Sequence, residues 1–208
     1  MSIENIKPMD IEKRSFEIIS ELLGDRHFAP ENELVVKRAV HTTADLDYAD
    51  NLYFSNEAVK KGIEALKNGC SIVTDTQMAK AGINKKILSE LGGEVYCFMS
   101  DADVAAKSSE RGVTRAYVSM EKAAGLGLPC IFAIGNAPTA LISIKHLMDE
   151  GRLDPVLVIG VPVGFVNVEE SKELIISSDV PCIVSRGKKG GSNVAAAICN
   201  ALLYQIRR

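Results

Sequence analysis

The sequence predicts an α/β protein with a mainly parallel β-sheet, helices on both faces of that sheet, and an N-terminal helical layer. From about residue 70 onward, short apolar runs alternate with helical patterns along the chain. The runs do not alternate with polar residues, which is typical of strands buried on both faces of a parallel sheet. Before residue 70 the patterns are helical, so we expect that part to pack around the sheet as a separate layer.

The N-terminal layer is predicted to contain three helices. The first spans 8–23, with apolar residues at helical spacing, and Gly24 ends it. The second has His41 at its end. Ser55 is expected to cap the third, which ends at the Asn-Gly pair 68–69. No strand is expected before residue 70.

The remainder of the chain is predicted to supply five strands and five helices. The strands are expected at 71–74, 95–99, 131–134, 156–159 and 182–184. The helices are expected at 80–91, 104–126, 138–150, 168–177 and 192–206. No linker or repeat interrupts this order, and 208 residues suffice for one sizeable core, so we expect a single domain over 1–208.

Composition excludes several classes of function. The net charge is -3, which implies no general affinity for nucleic acid. The N-terminus has no apolar signal core, and no apolar run reaches membrane-spanning length. The five cysteines are scattered without a CxxC motif or a zinc-like spacing, which fits a reduced compartment. We therefore expect a cytoplasmic protein with no metal centre, membrane partner or nucleic-acid partner.

A ligand is expected at the loops that follow the strands, because ligands of open parallel sheets bind outside the carboxyl ends of the strands. Three of these loops are rich in glycine and lead into a helix: 135–139, 160–165 and 185–192. Pro138 suits a first helical turn, and Asn167 with Glu170 three residues later resembles a capping box. Helix N-termini opened by glycines bind anions, either phosphate or carboxylate.

Nucleotide cofactors and serine hydrolase chemistry find no support in the sequence. GxxxxGK[ST] and GxSxG are both absent. The Gly-Leu-Gly at 125–127 precedes a strand instead of following one and lacks a third glycine, so a dinucleotide site is not expected. We expect no cofactor.

His41 is a candidate proton donor, because it ends an apolar helix with Arg38 one turn before it and hydroxyls after it. The alternative is a partly exposed polar residue at a helix terminus, and the helix alone favours that alternative. Ser15 lies on the apolar stripe of the first helix. It either bonds back to the carbonyl one turn earlier or borders a ligand pocket, and the residues leave both open.

Basic residues near the predicted ligand edge are candidates for binding carboxylates. Arg115 lies in the long helical pattern after the second predicted strand, and Arg186 lies in the loop after the last strand. Arg38 belongs to the helix of His41. In an acidic protein, such locally placed cations are better candidates than lysines on an exposed helix face.

Seven segments together resemble the precorrin-8X methylmutases of corrin biosynthesis, a family that includes the cobalt-precorrin-8 forms. They are RSFEII (14–19), VKRAVHTTADLDYADNLYFS (36–55), TDTQM (74–78), TR (114–115), AIGNAPTAL (133–141), GVPVGFVNVEESKELI (160–175) and RGKKGGSNVAAA (186–197). The resemblance spans almost the whole chain. The GNAPTAL and PVGFV…ESK blocks, in this order, are its most specific part.

The resemblance implies an isomerase that moves a methyl group from C11 to C12 on ring C of a precorrin macrocycle. The product would be hydrogenobyrinate or its cobalt form, cobyrinate. The histidine that matches His41 is the proton donor and acceptor of the family, and Ser15, Arg38 and Arg115 match polar residues near the substrate. The family fold is α/β and its members are homodimers. The rearrangement involves no redox change, so it needs no nicotinamide, flavin or S-adenosylmethionine.

The substrate implied by this resemblance is a flat tetrapyrrole edged with carboxylates. We expect backbone N–H groups of two turns to hold these carboxylates, with Arg186 at the rim. The turns are Gly135, Asn136, Ala137, Pro138, Thr139 in one loop and Gly164, Phe165 in the other. Two other functions stay open: a tetrapyrrole carrier without chemistry, and an enzyme for a different polycarboxylate. The sequence leaves the metal-free and cobalt-bound substrates equally open.

Overall fold

The computed structural model describes residues 6–55 and 57–207. Within them a 3₁₀ turn, Pro8–Asp10, precedes eleven α-helices and six β-strands. The helices are α1 (Ile11–Leu23), α2 (Pro30–Thr43), α3 (Tyr48–Asn51), α4 (Ala58–Lys67), α5 (Gln77–Gly82), α6 (Lys85–Glu90), α7 (Ala102–Arg111), α8 (Arg115–Ala124), α9 (Pro138–Asp149), α10 (Val168–Ile176) and α11 (Ser192–Ile206). The strands are β1 (Leu52–Phe54), β2 (Ser71–Thr74), β3 (Val95–Tyr96), β4 (Cys130–Ile134), β5 (Leu157–Gly160) and β6 (Cys182–Ser185).

The strands form one six-stranded sheet in the order β1-β6-β5-β4-β2-β3. All neighbours from β6 to β3 are parallel, and β1 pairs with β6 in the antiparallel direction. The mainly parallel sheet predicted from the sequence is therefore confirmed. The five parallel strands direct their carboxyl ends to the same edge, and the loops that follow them meet there.

Helices cover both faces of the sheet, and alternate residues of each central strand contribute to the two cores. Ile131 of β4 packs with side chains of α2, α4 and α11, whereas the adjacent Phe132 packs with those of α8, α9 and α10. The N-terminal helices α1 and α2 belong to the first layer, where α2 packs against α11. The predicted N-terminal helical layer is confirmed, and it shares its core with the last helix of the chain.

The prediction that no strand precedes residue 70 is wrong. Strand β1 lies at the edge of the sheet beside β6. Ser55, expected to cap a helix, instead extends this pairing: its backbone N–H donates to the Cys182 carbonyl at 3.0 Å and its Oγ accepts from the Cys182 N–H at 2.8 Å. The run Leu-Tyr-Phe is too short for periodicity to reveal, and its partner lies about 130 residues away, as the 127-residue separation of Ser55 and Cys182 shows.

Two long predicted helices are each broken into two. The 80–91 pattern divides into α5 and α6, where the Asn84 side chain accepts from the Ile87 N–H and starts the second helix. The 104–126 pattern divides into α7 and α8 at Gly112, whose φ is +62°, and the Thr114 side chain caps α8. Both breaks follow from N-cap chemistry inside an apolar pattern. The predicted strand 95–99 is also shorter, ending at Tyr96.

The helix ends near the ligand edge agree with the sequence only in part. Pro138 begins α9, as predicted, and Gly24 ends α1 with a φ of +57°. The capping box expected at Asn167 and Glu170 is wrong, because Asn167 adopts left-handed backbone angles and its side chain makes no capping bond. The turn before it contains Gly164 at φ +145°, a conformation that favours glycine.

Candidate active site

Two glycine-containing loops dominate the carboxyl edge of the sheet. Loop A is 135–139, which comprises the turn after β4 and the first two residues of α9, and loop B is 186–191, between β6 and α11. They touch directly, since a Cβ added to Gly135 would lie 2.7 Å from the Gly191 carbonyl oxygen. A glycine is therefore required at this crossing, and the two loops form one continuous rim.

A buried carboxylate organises loop A. Asp75, directly after β2, is fully buried and accepts three backbone N–H bonds: from Gly135 at 2.9 Å, Asn136 at 2.8 Å and Ala137 at 2.7 Å. Burial raises the pKa of the Asp75 carboxyl, and the three N–H donors oppose that shift. The expectation that these N–H groups hold substrate carboxylates is corrected, because Asp75 already occupies them.

Asp75 is a site residue that sequence reasoning missed. The sequence offered one signal, an aspartate immediately after a buried strand and therefore at the ligand edge. The residue it would bind lies 60 positions further along the chain, so only the parallel pairing of β2 with β4 brings the two together. Its negative charge at the start of α9 also complements the helix dipole there.

The start of α8, whose first residue is Arg115, lies next to loop A. The Oγ1 atoms of Thr139 and Thr114 lie 2.7 Å apart, which brings the start of α8 next to the start of α9. Arg115 is the first residue of α8 and is exposed. Within residues 6–55 and 57–207, no ion pair involves Arg115. This cation is thus free to meet an anionic ligand beside Thr139.

Loop B is organised by a buried cation. Lys172 of α10 is fully buried, and its Nζ donates to the carbonyl oxygens of Gly187 at 2.7 Å and Lys189 at 2.9 Å. The Ser185 hydroxyl donates to the same Lys189 carbonyl at 2.8 Å. Burial lowers the pKa of the Lys172 ammonium from 10.5 to about 8. The sequence did not predict the buried position of Lys172 either, because a lysine in a helical pattern is usually a solvated surface residue.

The turn after β5 contacts loop B through Gly164 and Phe165. The Gly164 N–H donates to the Lys188 carbonyl at 3.2 Å, so this N–H is also used internally and the expectation that it holds a substrate carboxylate is corrected. The Phe165 side chain is 86% exposed, and the Lys188 ammonium lies 5.8 Å from the centre of its ring. An exposed aromatic ring flanked by a cation at a ligand edge suits a flat anionic molecule.

His41 lies in the last turn of α2 and is exposed. Its ring stacks on Phe16 of α1, with 5.5 Å between ring centres and an interplanar angle of 27°. The corner that follows His41 contacts loop B, because the Lys189 Nζ lies 2.6 Å from a carboxylate oxygen of both Asp45 and Asp47. The imidazole is therefore exposed at the end of α2, and the residues that directly follow this end contact loop B.

Arg38 is largely buried and already has partners within the protein. Its side chain is 14% exposed, and its guanidinium carbon lies 4.8 Å from the Phe16 ring centre and 5.2 Å from that of Tyr204. It also pairs with the carboxylate of Glu12. Together these residues line a groove of about 490 Å³ between α1, α2 and α11. Arg38 thus fixes the ring on which His41 stacks.

Ser15 and Arg186 are placed differently from one another. The Ser15 hydroxyl donates to the Ile11 carbonyl at 2.9 Å, so the helix-internal bond, one of two readings left open by the sequence, is the one present. Arg186 is exposed on loop B, with its guanidinium carbon 5.0 Å from the Tyr53 ring centre and its Nε 3.3 Å from a Glu173 oxygen. Arg186 therefore lies on the rim of the site, and Ser15 lies on α1 one residue before Phe16.

Two features are absent from residues 6–55 and 57–207. No group of three or more His, Cys, Asp or Glu side chains in that part of the chain is arranged to hold a metal ion. None of its helices is long and apolar enough to cross a membrane.

An α/β sheet with exposed arginines at its carboxyl edge and an exposed histidine near that edge is typical of an enzyme that acts on a small anionic molecule, and comparison with known proteins identifies the family. The Precorrin-8X methylmutase family model matches residues 10–205. The cobalt-precorrin-8 methylmutase of Leptospira interrogans is 44% identical over 202 residues, covering 93% of this chain and 92% of the relative. That of Salmonella typhimurium is 44% identical over 207 residues, covering 97% of each chain.

A solved structure agrees with these sequence relatives. The crystal structure of a precorrin-8X methylmutase from Thermus thermophilus superposes with a TM-score of 0.86 at 36% identity, covering 94% of this chain and 96% of that one. The chain therefore belongs to the precorrin-8X methylmutase family. It is an isomerase that shifts a methyl group, which confirms the class of enzyme implied by the sequence resemblance.

Proposed function

We propose that this enzyme moves the methyl group of precorrin-8, or of its cobalt form, from C11 to C12 of the macrocycle, with His41 as proton donor and acceptor. The observation that carries the proposal is the open position of His41, stacked on Phe16 beside a rim of cations and helix ends. A buried imidazole could not reach a macrocycle. An exposed one next to the ligand edge can transfer a proton to a bound substrate.

The rim suits a flat polycarboxylate. Arg115 at the start of α8 and Arg186 in loop B are exposed cations, and guanidinium groups bind carboxylates with two parallel hydrogen bonds. The exposed ring of Phe165 offers an apolar face for the macrocycle. Substrate binding by Ser15, Pro138 and Thr139 remains part of the proposal. For Gly135, Asn136, Ala137 and Gly164, the proposed role is to shape the loops, because their N–H groups donate within the protein and not to the substrate.

In the proposed reaction, His41 donates a proton or hydrogen bond near the nitrogen of ring C. This favours the tautomer in which the methyl group migrates, and the proton returns when the product forms. General acid–base assistance of this kind contributes roughly 10²–10⁴-fold in rate. Arg38 is a positioning residue: it lies over Phe16 at 4.8 Å, and Phe16 in turn supports the imidazole.

The test is His41→Ala, with His27→Ala as the matched control because His27 is also an exposed histidine on the N-terminal side. We expect His41→Ala to lower kcat by 10²–10⁴-fold while hydrogenobyrinate binds within about threefold of the wild-type affinity. His27→Ala should retain full activity. Turnover near the wild-type rate in His41→Ala and His41→Gln would remove the imidazole from the mechanism. Wild-type protein that binds hydrogenobyrinate without turnover would be a carrier.

The substrate form is proposed to be cobalt-precorrin-8, because both 44% identical relatives carry that name. Anaerobic incubation with each form, followed by absorption spectra, compares the two directly. Faster conversion of the cobalt form is expected. Faster conversion of metal-free precorrin-8 would overturn this choice without affecting the methyl shift.

We propose further that the enzyme acts in the cytoplasm as a homodimer of single-domain subunits spanning 1–208. All five cysteines are free thiols, which fits a reducing compartment. Helix α1 turns three large apolar side chains outward, Ile11, Ile18 and Leu22, and a second copy of the chain is the occupant we propose for that face. Light scattering on the purified protein tests the dimer, and Leu22→Glu should weaken it.

A further inference from the structure

Two cations of loop B are already paired with carboxylates of this chain. The Arg186 Nε lies 3.3 Å from an oxygen of Glu173, and the Lys188 Nζ lies 3.7 Å from an oxygen of Glu169. The two glutamates are four residues apart on α10 and so lie on the same side of that helix. Each of the four side chains is between 51% and 56% exposed. These two cations of loop B thus have carboxylate partners before any ligand binds.

These ion pairs contribute little to folding. Solvent-exposed pairs contribute about 0–1 kcal/mol, and water and salt compete with them. Each cation also lies against an aromatic ring, Arg186 against Tyr53 at 5.0 Å and Lys188 against Phe165 at 5.8 Å. The ring keeps the cation at the edge of the sheet when its carboxylate partner changes. The pairs are therefore suited to exchanging one carboxylate for another.

We propose that Glu169 and Glu173 are internal counter-ions, which hold Arg186 and Lys188 until carboxylates of the substrate displace them and which return when the product leaves. This inference rests on the proposed function, in which loop B binds a tetrapyrrole with several carboxylates. The product carries the same carboxylates as the substrate, because the reaction moves only a methyl group. Competition from the two glutamates therefore weakens product binding and speeds its release.

The test compares two charge-matched double variants. Glu169→Gln with Glu173→Gln removes both counter-ions. Glu170→Gln with Asp179→Asn removes the same amount of charge from the same helix and the loop after it, where both residues are exposed. Neither Glu170 nor Asp179 forms an ion pair in the described part of the chain. The probe is hydrogenobyrinate, titrated at low salt and followed by absorption, with stopped-flow measurement of its dissociation.

We expect the Glu169/Glu173 variant to bind hydrogenobyrinate 3–10-fold more tightly than wild type and to release it correspondingly more slowly. The control variant should change less than twofold, and the gain should vanish near 1 M salt because exposed charges are screened. Equal or weaker binding than in the control would overturn the inference, since the glutamates would then orient the cations for the ligand. A gain that persists at high salt would also overturn it.

Failure of the proposed function gives a different result. In that case wild-type protein does not convert precorrin-8, whether or not it binds hydrogenobyrinate and whatever the variants do. If wild-type binding and turnover are present, the ratio between the two double variants tests the counter-ions alone. Thermal unfolding of both variants should lie within a few degrees of wild type, because all four substituted residues are exposed.

Discussion

Loops A and B are neighbours at the same edge of the sheet, and buried charges of opposite sign hold them. Asp75 binds three N–H groups of loop A, whereas Lys172 binds two carbonyl groups of loop B. Neither buried charge has a charged partner in these contacts; each is stabilised by backbone dipoles. The consequence differs for ligand binding. Loop A has its N–H donors consumed internally, and loop B directs its cations outward, so anion recognition falls to side chains.

The largest effect is expected from Asp75→Asn. The amide replaces one acceptor oxygen by an N–H₂ group that faces backbone N–H donors, and the negative charge is lost. We expect the free energy of unfolding to fall by roughly 2–4 kcal/mol, measured by urea denaturation, and KM to rise as loop A loses its shape. Asp154→Asn is the control, an exposed aspartate without an ion pair among the described residues. A loss below about 1 kcal/mol would mean that loop A does not depend on the carboxylate.

Lys172→Met is expected to increase the mobility of loop B with little change in the free energy of unfolding of the whole protein. Methionine has a similar length and removes the cost of burying an ammonium group, which offsets the two lost hydrogen bonds. The Lys189 carbonyl keeps its bond from the Ser185 hydroxyl. We therefore expect the free energy of unfolding to change by no more than about 1 kcal/mol, while amide hydrogen exchange in loop B becomes faster.

A global loss as large as that of Asp75→Asn would contradict this contrast between the loops. Unchanged hydrogen exchange in loop B would show that the ammonium does not anchor it.

The two anchors also differ in how pH acts on them. The pKa of Lys172 is lowered to about 8, so between pH 8 and 10.5 the unfolded chain binds a proton that the folded chain does not. The contribution of this residue to the free energy of unfolding therefore rises with pH across that window, by up to about 3 kcal/mol. The difference between wild type and Lys172→Met should grow in favour of wild type from pH 8 to pH 10, measured by chemical denaturation.

Other groups also change the free energy of unfolding as pH rises, and their effects cancel when wild type is compared with the variant. Burial raises the pKa of Cys70 to about 12 and that of Cys130 to about 11, which lowers stability as pH rises. Both cysteines are present in wild type and variant alike. A difference between the two proteins that stays constant with pH would contradict the lowered pKa of Lys172.

The smallest effect is expected from the link between loop B and the corner that follows His41. Asp45→Asn removes one of the two carboxylates that pair with the Lys189 ammonium at the surface; the Asp45 side chain is partly exposed. We expect a loss below about 1 kcal/mol that disappears in high salt, because exposed ion pairs are screened. The Lys189 ammonium lowers the pKa of Asp45, so this contribution is present at neutral pH and is lost as pH falls through that lowered pKa.

If the contact of Lys189 with Asp45 and Asp47 helps to position His41, Asp45→Asn should raise KM measurably although it changes the free energy of unfolding by less than about 1 kcal/mol. If KM and the free energy of unfolding are both unchanged, this ion pair contributes neither to substrate binding nor to stability.

The amino-acid sequence by itself determined the layered architecture and the family. Alternation of apolar runs with helical patterns is a local property, and the parallel sheet and N-terminal layer follow from it. Segments such as AIGNAPTAL at 133–141 carry the resemblance to the family, and the family model matches residues 10–205. The position of His41 at the end of a helix was also readable from local pattern.

Tertiary structure alone decided which groups of the rim are free to meet a ligand. Asp75 and Ala137 are 62 residues apart in the sequence, and Lys172 and Lys189 are 17 residues apart. A local sequence pattern therefore cannot predict the hydrogen bonds between them. The three-residue strand β1 was hidden for the same reason, since its stability comes from pairing with β6. Local periodicity specifies secondary structure, but a hydrogen bond between distant groups exists only after the strands have paired and brought their ends together.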